Sequence, residues 1–114
     1  MSAILLVESN RVVRDDLAQM LRDKGYAKQV LSASNAEEAI RRYAHVPKLV
    51  AAFVHMSFDN LSQSGLASFV QRRGGRMIWL RSSAMLPDDA PEDWTIVDIP
   101  FSERDIEAIF DAGA

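Results

Sequence analysis

The chain has 114 residues, 48% of them apolar and 25% charged, with a formal net charge of −3. This is a globular composition over a single-domain length, residues 1–114, and its acidity argues against nucleic-acid or anionic-membrane binding through bulk charge. With no cysteine there is no disulfide scaffold, thiolate zinc site or cysteine nucleophile, and no early apolar run is long enough for a signal-peptide core or a membrane span, so a soluble cytoplasmic domain is the expectation.

Ala3 to Val7 is a continuous apolar run and predicts a strand buried on both faces. Ser9 or Asn10 caps the helix that follows. From Arg11 to Lys24 the apolar positions Val13, Leu17, Met20 and Leu21 recur at helical spacing, and Gly25 closes the helix. Gln29 to Ala33 is a more polar strand, nearer an edge. Asn35 caps a second helix with Ala39, Ile40 and Tyr43 on one stripe, and Pro47 ends the connection. Leu49 to Val54 is the longest wholly apolar run and predicts a central strand. Asn60 to Ser64 reads as a polar loop, and Leu66, Phe69 and Val70 mark a third helix ended by Arg73-Gly74-Gly75. Met77 to Leu80 and Thr95 to Ile99 are the fourth and fifth strands. Between them the chain is acidic and broken by Pro87 and Pro91, so the helix there is short or irregular. Phe101 to Phe110 is the last helix, capped by Ser102, with Ile106, Ile109 and Phe110 inward.

Strand and helix thus alternate five times. That order predicts an α/β fold, three layers deep, with a doubly wound five-stranded parallel sheet. Sites in such sheets lie outside the carboxyl ends of the strands, at the topological switch point. The rule selects Glu8 and Ser9, then Phe53 through His55, Arg81 with Ser82 and Ser83, and Ile99, Pro100 and Phe101.

At these residues a resemblance becomes specific. Ile4-Leu5-Leu6-Val7-Glu8-Ser9-Asn10 with Val13-Arg14, then Gly25-Tyr26, Ala33-Ser34-Asn35-Ala36-Glu37-Glu38-Ala39, Pro47-Lys48-Leu49-Val50 and Ile99-Pro100-Phe101 follow in order along nearly the whole chain. Together they resemble the receiver domain of response regulators, the CheY-like family of two-component signalling. The resemblance implies a flavodoxin-like sheet of strand order 2-1-3-4-5. It also implies a phosphoryl-accepting carboxylate at the end of the third strand and two acidic residues after the first to hold Mg²⁺.

The chemistry departs from the family. Counted from Pro47, the acceptor position is Phe53. The acidic pair is Glu8-Ser9, the hydroxyl position after the fourth strand is Arg81 with Ser82 one residue on, and the lysine before Pro100 is Ile99. One carboxylate of three remains, too few for a cation that favours several oxygen ligands. Gly65 matches a family glycine only if the preceding stretch is about four residues longer than usual. The expectation is a pseudo-receiver: no enzyme, no metal and no cofactor. It works by binding a protein, whether a histidine kinase, another regulator, a fused output domain or a second copy, with no nucleic-acid or membrane partner.

The expected interaction surface is the fifth strand, the last helix and the segment before them, with Trp94, Phe101 and Asp105 contributing. Two alternatives stand beside it. An anion or small ligand could occupy the vestigial pocket through Arg81, His55 and nearby hydroxyls, or a displaced aspartate such as Asp59 could serve an active receiver. Arg81 either meets an anion or pairs with Glu8 across the pocket, and the Ile99–Pro100 bond is open to either isomer.

Overall fold

A computed structural model describes residues 2–81 and 91–112. Ser82 and the irregular helix expected before the fifth strand fall outside them, apart from the turn at residues 92–93. Five parallel strands form one sheet: β1 (Ala3–Val7), β2 (Gln29–Ala33), β3 (Ala51–Val54), β4 (Arg76–Arg81) and β5 (Thr95–Asp98). Their order is β2-β1-β3-β4-β5, so β3 is central, β2 lies at one edge, and the sheet reverses direction between β1 and β3.

Each strand sends alternate residues to opposite layers. Leu5, Val7, Ala52, Val54 and Trp79 pack under helices α2 (Ala36–Arg42), α3 (Phe58–Ser64) and α4 (Leu66–Gln71). Ile4, Leu6, Phe53, Ile78 and Leu80 pack under α1 (Arg11–Lys24) and α5 (Glu103–Ala112). Cover on both faces is why β1 and β3 are apolar at every position.

The helices start where hydrogen-bonding side chains satisfy free backbone N–H groups. Asn10 accepts from the amides of Val12 and Val13, Asn35 from that of Glu38. A cap of this kind contributes about 1 kcal/mol. Ser102 and Asp105 bond each other's backbone amides reciprocally at the entrance to α5. In α1 the buried residues are Leu17, Ala18 and Leu21. Val13 stays 43% exposed, because the first turn of α1 overhangs the carboxyl edge of the sheet.

The stretch Asn60 to Ser64 is not a loop. Ser57 accepts from the Asn60 amide, Leu61 is fully buried, and Gly65 closes the helix with φ +79°. Its polar composition hid a helix that buries one leucine per two turns. Gly65 needs that left-handed backbone, which only glycine adopts freely. The Ile99–Pro100 peptide is cis.

Candidate functional site

The end of β1 and the end of β3 meet at the switch point. The Glu8 amide donates to Ala33 O at 3.0 Å, and the His55 amide donates to Val7 O at 2.9 Å. Parallel pairing therefore places Glu8 and His55 side by side, one residue beyond the last strand partners Val7 and Val54. Glu8 is 3% exposed and is the one buried charged residue among the described residues. Its Oε2 accepts a hydrogen bond from His55 Nδ1. A carboxylate can only accept, so the ring proton lies on Nδ1, and Nε2 is left without a protein partner among the described residues. Arg14 donates to the Glu8 carbonyl at 2.8 Å and ties α1 to the same corner.

Phe53 does not stand at this corner. Its register partner is Leu6, two residues short of Glu8, and its ring is fully buried in the layer beneath α1 and α5, 6.1 Å from Phe110. The residue facing Glu8 is His55. The strand spans Ala51–Val54 and ends where the apolar run predicts, so Phe53 lies inside it and His55 is the first residue beyond it.

Arg81 does not pair with Glu8 either. It is the register partner of Asp98 on the neighbouring strand, and its Nε donates to Asp98 Oδ1 at 2.8 Å. Glu8 is on the far side of β3 and β4 from Asp98's strand. The Arg81 guanidinium holds the Asp98 carboxyl below the ordinary aspartate value.

Two hollows open beside the Glu8–His55 pair, and Ser9 and His55 line both. The larger, about 530 Å³, is bounded by Ser34, Asn35, Glu37, Met56, Ser57, Asn60 and Ser64. The smaller, about 320 Å³, is bounded by Glu8, Val13, Leu17, Leu80, Ile99 and Phe101. Among the described residues no lysine or arginine lines either. Asp59 is exposed in the first turn of α3 and lines neither. Pro100 is exposed beside them, and Ile99 and Phe101 are half-buried.

The residues present do not fit Mg²⁺. Among the described residues Glu8 is the buried carboxylate of this corner, and an imidazole already bonds it; Mg²⁺ asks for several oxygen ligands in a nearly octahedral set.

Behind the corner, Trp79 Nε1 donates to Met56 O at 2.9 Å and fastens the turn from β3 into α3. Phe58 lies 5.6 Å from Trp79, and Trp94 meets Trp79 edge-on at 6.3 Å. Trp94 is half-buried in this aromatic group, and Asp105 is exposed.

Sequence composition alone missed His55 as the partner of Glu8. The usable signal was its place just after the apolar run, where a strand would deliver it to the carboxyl edge.

No family model and no curated protein sequence matches the chain. Solved structures do. It superposes on a CheY-like response regulator receiver domain protein from Methanospirillum hungatei JF-1 with a TM-score of 0.74 at 13% identity, covering 97% of this chain and 93% of that one. A receiver-modulated diguanylate cyclase from Pelobacter carbinolicus matches with a TM-score of 0.73 at 22% identity, over 98% and 91%. Vibrio cholerae chemotaxis protein CheY4 matches with a TM-score of 0.73 at 16% identity, over 98% of each chain. The fold is that of response regulator receiver domains. At such identities the likeness concerns the backbone, and the side chains at the switch point are this chain's own.

Proposed function

We propose that this chain is a receiver-type domain of a two-component signalling protein that has given up aspartyl phosphorylation and works by binding another protein. One observation carries the reading: Glu8, where the family would hold metal beside an acceptor carboxylate, is buried and bonded to an imidazole. Phosphoryl transfer depends on positioned charge and metal. A corner closed by a histidine–glutamate hydrogen bond offers neither a carboxylate acceptor nor a free metal ligand.

The role left is recognition, not catalysis. The partner is a cytoplasmic histidine kinase, another regulator or a fused output domain, and a second copy of this chain is a further possible partner. The proposed surface is β5, α5 and the segment before them. There Trp94 offers a half-buried aromatic edge of the kind that anchors interfaces, with half-buried Phe101 and exposed Asp105 at the entrance to α5.

The test is incubation with acetyl phosphate and Mg²⁺, followed by intact mass and backbone NMR. The wild type should gain no phosphoryl group, and beryllofluoride should move no amide near His55. A gain that vanishes in Asp59→Asn would replace this reading with an active receiver using a displaced aspartate.

A further inference from the structure

We infer that the larger hollow at the switch point is a binding site for a small uncharged polyhydroxy molecule, of the chemical class of a sugar or cyclitol. Its position is the crevice where open α/β sheets take ligands, and its volume of about 530 Å³ lies in the range of small-molecule sites.

The chemistry of the lining selects the class. Several polar groups there are already committed. Ser34 Oγ donates to Glu38, and Ser64 Oγ both donates to Leu61 O and accepts from the Leu66 amide. Other groups retain capacity. Ser57 Oγ accepts from the Asn60 amide and keeps its own proton to donate. Among the described residues the side chains of Ser9, Glu37 and Asn60 have no protein hydrogen bond, and all three are exposed at the rim. His55 keeps Nε2 for a ligand, because its Nδ1 is bonded to Glu8.

The crevice therefore presents an acceptor at Glu37, mixed donor–acceptors at Ser9, Ser57 and Asn60, and the second ring nitrogen of His55. A hydroxyl group can donate and accept at once, so a ring of hydroxyls answers each of these. An anion finds no lysine or arginine in the lining and meets the carboxylate of Glu37. Arg81, on which the anion reading drew, is engaged with Asp98 on the β4–β5 side of the sheet. Ligand binding here and partner binding on β5 and α5 can each fail without the other.

Titration with myo-inositol and with glucose, followed by backbone NMR, tests the site, with inorganic phosphate as the contrasting probe. Saturable shifts in the millimolar range are expected at the amides of Ser9, His55, Ser57 and Asn60 with at least one polyol, with β5 and α5 unmoved. The imidazole ¹⁵N spectrum should show a hydrogen-bond partner arriving at Nε2 of His55. Asn60→Leu and Ser9→Val, both at exposed positions, should keep the wild-type melting curve and weaken binding by about three- to tenfold each, the worth of one neutral hydrogen bond. Saturable shifts with phosphate alone would overturn the assignment, as would strictly linear responses to both polyols up to their solubility.

Discussion

Replacing His55 by alanine takes away the side chain that bonds the Glu8 carboxylate among the described residues, in a residue only 3% exposed. Removing one partner of a fully buried pair costs about 3–5 kcal/mol. The His55 side chain keeps 26% exposure, so water reaches part of the vacated space, and a loss of about 2–3 kcal/mol is expected, in keeping with a hydrogen bond to a charged group. Glu8→Gln keeps an acceptor for Nδ1 and removes the buried charge, so its own cost is smaller, about 1–2 kcal/mol. If the two act through one bond, the double variant is less destabilised than the sum by about 1–2 kcal/mol. Urea unfolding of the four proteins reads this directly. With a slope of about 1–3 kcal/mol per molar, His55→Ala should lower the midpoint by on the order of 1–2 M. A coupling within about 0.3 kcal/mol of zero would refute the bond as a stabilising feature of the corner.

Three further outcomes follow from the packing. Phe53→Asp should prevent cooperative folding, because it puts a carboxylate into a fully buried apolar layer, whereas His55→Asp should still fold; near-wild-type stability of Phe53→Asp would return Phe53 to the pocket. Leu61→Ala should cost about 2–5 kcal/mol by emptying the buried contact of α3, and an unchanged thermal midpoint would mean that α3 does not pack on the sheet. Arg81→Gln should raise the NMR titration midpoint of Asp98 towards the ordinary aspartate value, because the guanidinium is what lowers it. A lowered carboxyl pKa stabilises the fold above the unfolded value and loses that contribution as pH falls through the folded one, so this variant should also lose part of the wild type's acid sensitivity. An unmoved Asp98 midpoint would remove the pair.

Where sequence reasoning went astray, long-range pairing was responsible. Asn60 to Ser64 carries no apolar stripe, only Leu61, and five residues that are mostly polar look like a loop until a cap at Ser57 and a left-handed Gly65 bracket them. Arg81 and Glu8 both end strands, and nothing local says that β3 stands between β1 and β4 while Asp98 stands directly opposite Arg81. The resemblance sets the acceptor position at Phe53, whereas the residue facing Glu8 is His55, two residues on. Side chains alternate with a period of two, so a shift of two leaves every residue on its own face, and the apolar pattern is indifferent between Phe53 and His55 at the strand end.

The sequence by itself determined the alternation of strands and helices, the central apolar strand, a cap at Ser9 or Asn10 and another at Asn35, and the shortage of acidic residues after β1. These depend on contacts within a few positions or on composition, and the apolar spacing records them directly. Only the tertiary structure decided which side chain meets Glu8. Register between parallel strands is set by pairing across the sheet, and that pairing brings His55, 47 residues along the chain, onto the one carboxylate buried at the switch point.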